Sequence, residues 1–225
     1  TATKAAVCGF TDAATAVDGL SSTLKAYGME AESAESIANQ MLIAQNKGNT
    51  TFGELAGSIG KVAPTASALN LSTEELFSSL AVLTANGIQT SESVSVLKAA
   101  FSSITQPTTE AAEAAEALGI EFNADTLASK GLKGFLGDVR TAISNLNPTI
   151  GSLLTKQDEL TEKLKKTKKG SDAYKELSKE LKKTNSDLQT LTSASDGSVN
   201  QFATLFGSVE ALNAMLILSS GQGMS

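Results

Sequence analysis

Leu71-Ser72-Thr73-Glu74-Glu75-Leu76-Phe77-Ser78-Ser79-Leu80-Ala81-Val82-Leu83 is the stretch on which the fold turns. The Ser72 hydroxyl can accept from the amide three residues on, while the Glu75 carboxylate reaches back to the amide of Ser72, which makes a capping box. Leu71 before the cap and Leu76 after it occupy the positions of a hydrophobic staple. Beyond the cap, Leu76, Leu80 and Leu83 recur at the spacing that places them on one face of a helix. Outward from here the same grammar repeats. Thr51 with Glu54 offers a second capping box, and Pro107-Thr108-Thr109-Glu110 a third helix start. Gly87 and Gly119 stand where helices should end in a left-handed residue. The pairs Gly28-Met29, Asn70-Leu71, Gly87-Ile88 and Gly119-Ile120 form a weak recurrence, read as successive helices of one bundle ending and beginning, with an internal repeat as the alternative. Up to about Leu146 the chain therefore reads as short amphipathic helices.

Charge separates the next part. Residues 156–191 hold ten Lys against seven Asp or Glu, a net +3, while the remainder holds eight basic and seventeen acidic residues, a net −9. Leu153, Leu160 and Leu164 mark one apolar seam, and Tyr174, Leu177, Leu181, Leu188 and Leu191 another. Between them Gly170 can end a helix and Ser171 can start one. This predicts an antiparallel coiled-coil hairpin with arms of roughly 20 residues. The stripe Phe202, Leu205, Phe206, Val209, Leu212, Met215, Leu216, Ile217 and Leu218 follows. Glu210 and Asn213 interrupt it as a membrane span, so a buried C-terminal helix, or one continuing into further sequence, is expected.

Composition excludes several chemistries. The 225 residues contain no His, no Trp and one Cys, so neither a Cys/His zinc site nor a His-dependent catalytic triad can be built, and no internal disulfide can form. Aromatic residues make up 4% of the chain, which favours small-residue helix packing over sheets. A net charge of −6 argues against non-specific nucleic-acid binding. Gly53, Gly57, Gly60 and Lys61 lack phosphate-loop spacing, since Val62 follows the lysine; these glycines are expected to let helices approach closely. The carboxylates Glu74/Glu75, Asp158/Glu159 and Glu110/Glu113/Glu116 read as solvated helix faces, as do the lysines of 163–169. Cys8 is expected to be a small core hydrophobe. The chain does not open on Met and shows no cleavable leader pattern at Thr1, so it is expected to be a piece of something longer.

Several stretches resemble the core region of phage tail tape measure proteins of the TP901 type. They begin with Ala5-Ala6-Val7, Thr11-Asp12-Ala13-Ala14 and Leu24-Lys25-Ala26-Tyr27-Gly28-Met29. The most specific is the run from Thr50-Thr51-Phe52-Gly53-Glu54-Leu55 to Val62-Ala63-Pro64-Thr65-Ala66. Leu71 to Leu76, Leu83-Thr84-Ala85-Asn86-Gly87-Ile88-Gln89-Thr90, Leu97-Lys98-Ala99-Ala100, Gln106-Pro107-Thr108 and Leu118-Gly119-Ile120 continue it, and Leu205-Phe206-Gly207-Ser208 looks like its return after the hairpin.

The resemblance implies a non-enzymatic structural fragment of a phage or prophage tail, active in tail assembly, length determination and genome delivery. Its place would be the tail lumen of the virion, and the host cytoplasm during assembly. Implied partners are further copies of itself and other tail proteins: tube, tail tip and assembly chaperones. The expected fold is all-α, a multi-helix bundle of short helices with the hairpin, divided into a core module over 1–148, the hairpin over 149–194 and the C-terminal helix over 195–225. Leu71, Leu76, Phe77, Leu80, Leu83, Phe101, Leu212 and Leu216 are the core or partner-facing candidates; no catalytic, cofactor or metal residue is assigned, and no specific nucleic-acid binding is expected. Rival readings are a membrane-active module that inserts the Phe202–Leu218 stripe into the host envelope, and a peptidoglycan hydrolase.

Overall fold

In a computed structural model, residues 11–194 and 197–220 are described; Cys8 and the Ala5–Val7 run lie outside them. The described residues form twelve α-helices and two short 3₁₀ turns, with no strand. The chain divides at Thr105/Gln106 into two compact units, and the expected end of the core module at residue 148 falls inside the second.

The first unit contains α1 (Ala13–Tyr27), α2 (Ala34–Lys47), α3 (Phe52–Ser58), α4 (Ala63–Ala68), α5 (Thr73–Ala85) and α6 (Thr90–Thr105). Its helix ends follow from side-chain chemistry. Ser72 with Glu75 and Thr51 with Glu54 both close complete capping boxes. Asp12 caps α1 by accepting from the Thr15 amide at 2.8 Å and the Thr15 hydroxyl at 2.7 Å. Gly28 ends α1 in the left-handed region, at φ 61, where an L side chain would be strained. Phe52, Leu55, Ile59, Leu76, Leu80, Leu83, Leu97 and Phe101 are all fully enclosed in the core. The close approach of helices rests on Gly19 of α1, where an added Cβ would lie 2.5 Å from Ala56 Cα of α3. Of the glycines expected to serve this purpose, Gly53 and Gly60 lie against Thr11 and Ser22, but Gly57 faces open space.

The second unit contains α7 (Thr109–Leu118), α8 (Ala124–Leu146), α9 (Pro148–Lys166), α10 (Asp172–Ser193), α11 (Gly197–Phe206) and α12 (Val209–Ser219). Thr108 caps α7 and Gly119 ends it at φ 65. Ala111, Ala114 and Ala115 are buried and let α11 pack closely on α7. Phe122 packs its ring against Phe135 and, edge-on, against Phe206, at centroid distances of 5.6 and 5.3 Å. Helix α8 breaks at Gly131, whose φ of 66 and ψ of 168 no other residue adopts readily.

Helices α9 and α10 fold back on each other around Gly170, with Ser171 capping α10. Lys156–Glu180 and Gln157–Asn185, at 2.9 and 2.7 Å, join them. Their seam differs from the leucine pattern. Leu154 is buried where Leu153 is only half-buried, and Gln157, Thr161, Thr184 and Thr192 occupy buried positions among Ile150, Leu160, Leu181 and Leu188.

The C-terminal stripe is two helices instead of the single one expected. Gly207 takes φ 81, Ser208 caps α12, and α11 and α12 meet at 91°. No single helix among the described residues is long and apolar enough to cross a membrane. Phe202, Leu205, Phe206, Leu212, Met215, Leu216 and Leu218 are buried inside the unit.

Candidate functional site

Two places concentrate polar side chains. The first is a cleft of about 620 Å³ in the first unit, between the loop 49–51 with helix α3 on one side and the α5–α6 turn, residues 87–91, on the other. Glu54 organises it. Its Oε2 accepts from the Thr51 amide at 3.0 Å and the Thr90 hydroxyl at 3.2 Å, and Thr50 and Thr90 join hydroxyls at 2.7 Å. The loop is tied further by the Phe52 amide donating to Gln45 Oε1 at 2.6 Å and the Asn49 amide donating to Thr84 Oγ1 at 3.3 Å.

Gly53 and Gly57, one turn apart on α3, leave one wall without side chains, and Lys61, Gln89 and Ser91 stand exposed at its margin. With one carboxylate, one ammonium and several hydroxyls and amides, the cleft can hydrogen-bond a polar segment. The glycines lie on helix α3 itself, Gly53 in its first turn and Gly57 one turn on, so they form no phosphate-cradling loop. No group of three or more metal-ligating side chains occurs among the described residues.

The second place lies in the second unit. Arg140, the sole arginine in the chain, has a side chain only 12% exposed. Its Nη1 donates to Gln157 Oε1 at 3.0 Å and Ser219 Oγ at 2.9 Å, and its Nη2 donates to the Leu154 carbonyl and pairs with Asp158 at 2.8 Å. One guanidinium thereby ties α8 to α9 and α12. Gln157 passes the connection to α10 through Asn185, and Thr192 of α10 donates to Asn213 of α12 at 2.7 Å. Burial pushes the Asp158 carboxyl above its ordinary value, opposed by the Arg140 guanidinium beside it. This is a structural clamp; nothing in it pairs a nucleophile with a base.

The sequence candidates separate between the units. Leu71, Leu76, Phe77, Leu80, Leu83 and Phe101 are buried in the first, and Leu212 and Leu216 in the second. Glu110, Glu113 and Glu116 are exposed on α7. The reading of apolar seams passed over Arg140, Gln157 and Asn213, although a single arginine in a chain of lysines is a visible signal, since only the guanidinium fork can satisfy so many acceptors at once.

A family described as phage-related minor tail protein matches residues 1–156. Two known proteins are similar over shorter stretches. The tape measure protein of Pneumococcus phage Dp-1 is 31% identical over 111 residues, 49% of this chain and 10% of that protein. The probable tape measure protein of Clostridium phage phiCD119 is 40% identical over 73 residues, 32% of this chain and 8% of that protein. The matched stretches thus span at most a tenth of either relative. No solved structure matches the chain.

Proposed function

The chain belongs to the phage-related minor tail protein family, and from that premise we propose that it is a structural module of a tail tape measure protein, acting in tail assembly and genome delivery. The observation that carries the reading is the family match over residues 1–156, seconded by two relatives that both bear the name tape measure protein. The role is one of packing and docking, and no reaction is assigned to it. Its partners are other copies of itself and tail components such as the tube, the tail tip and assembly chaperones, in the tail lumen after assembly in the host cytoplasm.

Within that protein this region is a folded module and not the measuring rod. A ruler works because an extended helix has a length proportional to its residue number. The longest uninterrupted helix here is α10, with 22 residues, about 33 Å at 1.5 Å per residue. Every other uninterrupted helix among the described residues is shorter, and Gly28, Gly119 and Gly207 end three of them in the left-handed region. Excising residues 149–194 from the parent gene tests this. A module leaves tail length unchanged by electron microscopy, whereas a rod shortens it by about 70 Å. Absence of peptides from this region in purified tails would refute the tail assignment itself.

A further inference from the structure

We propose that the lysine-rich tip of the α9–α10 hairpin docks on the glutamate face of α7 in a second copy of this chain. The proposal deepens the self-association read above and rests on it, but not on the module's place in a tail.

The positive charge of the hairpin is concentrated at its tip. Residues 163–179 carry seven Lys against two acidic residues, a net +5, while the rest of 156–191 carries three Lys against five acidic residues, a net −2. Lys163, Lys165, Lys166, Lys168 and Lys169 are all exposed, and of these only Lys165 forms an ion pair among the described residues, with Glu162 at 3.0 Å. Between the lysines, Leu164, Tyr174 and Leu177 are half-buried, so the seam is incompletely covered where the charge is densest. Such a tip offers apolar contact as well as charge.

Helix α7 is its complement. Residues 106–129 hold five acidic residues and no basic one. Glu110, Glu113 and Glu116 are exposed on the side of α7 opposite the buried Ala111, Ala114 and Ala115, with the exposed methyl groups of Ala112 and Ala117 among them. None of the three glutamates belongs to an ion pair among the described residues. Among the described residues most of the tip lysines and all three glutamates stand outside any ion pair. The alanines leave room between the glutamates, and opposite potentials steer and orient the encounter. Because tip and α7 are different surfaces, two copies can exchange tips reciprocally about a two-fold axis, or each can pass its tip on to a further copy.

Sedimentation velocity on the full chain tests the proposal across a concentration series, in about 20 mM and about 500 mM salt, where the screening length falls several-fold. One variant carries Lys165→Glu, Lys166→Glu, Lys168→Glu and Lys169→Glu. The other carries Glu113→Lys and Glu116→Lys, and keeps Glu110, which complements the N-terminus of α7. Circular dichroism verifies that both keep wild-type helicity. The expected result is association in low salt that high salt disperses, a dissociation constant raised about tenfold or more by either variant alone, and a one-to-one complex regained when the two variants are mixed. A chain that stays monomeric in low salt overturns both this inference and self-association. Association indifferent to the reversals, or not regained on mixing, overturns this inference alone. So does a tip that binds a DNA duplex in fluorescence anisotropy, and loses it on reversal, while self-association is unchanged.

Discussion

Replacing Gly19 with alanine inserts one methyl group where α1 and α3 touch. The new Cβ would stand 2.5 Å from both Ala56 Cα and Ala56 Cβ and 3.0 Å from the Ala56 carbonyl oxygen. Carbon atoms in comfortable contact lie about 3.5–4.0 Å apart, so the helices must part by roughly 1 Å along a contact buried around Ala16, Leu20, Leu55 and Ile59. Overpacking of this kind costs about 1–3 kcal/mol, against which alanine's better helix propensity returns up to about 1 kcal/mol. The net expectation is a loss of about 1–2 kcal/mol, read as a lowered urea midpoint by circular dichroism at 222 nm with an unchanged slope. Two further variants make the test specific. Adding Ala56→Gly recovers only part of the loss, because Ala56 Cα stands as near as its Cβ. Gly57→Ala, where nothing lies within 4 Å, holds or raises stability by up to about 0.5–1 kcal/mol. A Gly19→Ala protein as stable as the original would refute the close packing of α1 on α3.

Arg140→Lys is expected to destabilise the second unit by about 2–3 kcal/mol in the same denaturation assay, because one ammonium cannot replace a fork bonded to Gln157, Ser219, the Leu154 carbonyl and Asp158. Tyr27→Phe is expected to stabilise the first unit by about 1 kcal/mol, since the buried Tyr27 hydroxyl has no hydrogen-bond partner among the described residues and removing it relieves a desolvated donor. Thr84→Val deletes the acceptor that holds the Asn49 amide while leaving α5 apolar and intact, so exchange protection at Asn49 should fall with little change in that of α5. The Asp12 cap sets a pH dependence. Its carboxyl is held below the ordinary value of 3.8 by its hydrogen bonds with Thr15, so its contribution is complete above that value and is lost as pH falls through the depressed one. Exchange at the first turn of α1 should quicken in that acid range, and Asp12→Asn should remove this dependence.

What could be read in advance was whatever depends on neighbours in sequence. Ser72, Thr51, Thr108 and Ser171 as helix starts, and Gly87, Gly119 and Gly170 as left-handed stops, are settled within one helical turn by hydrogen bonds the local side chains make. What could not be read depends on partners far along the chain. Arg140 meets Ser219 across 79 positions, and Thr50 meets Thr90 across 40. Asn213 shows the same limit from the other side. Within a hydropathy window it interrupts an apolar stripe, yet in the fold it is a half-buried link to Thr192. The break at Gly207-Ser208 was within reach, for it repeats the Gly170-Ser171 signal that marked the hairpin turn, and only the strength of the apolar run concealed it.

The abundance of Ser and Thr explains why a chain with so few aromatic residues still builds two cores. A hydroxyl in a helix can donate to the carbonyl one turn earlier, which satisfies it without a tertiary partner. Thr23 does so to Gly19 at 2.9 Å, Ser79 to Glu75 at 2.7 Å, Thr84 to Leu80 at 2.8 Å and Thr184 to Glu180 at 3.1 Å, all from buried positions. The threonines among them bury a methyl group like valine's while the oxygen keeps an accepting lone pair. Thr84 turns that lone pair to Asn49 beside the cleft. Thr192 gives its hydroxyl proton to Asn213 instead, at the clamp. Interior hydroxyls therefore do two things that leucine cannot: they fill a helix interface thinly enough for close approach, and they hold the loops and helix pairs that apolar contact alone would leave free to slide. A hydropathy scale counts them against the core, which is why the hairpin seam, expected to be apolar, carries Gln157, Thr161, Thr184 and Thr192 beside the expected Leu160, Leu181 and Leu188.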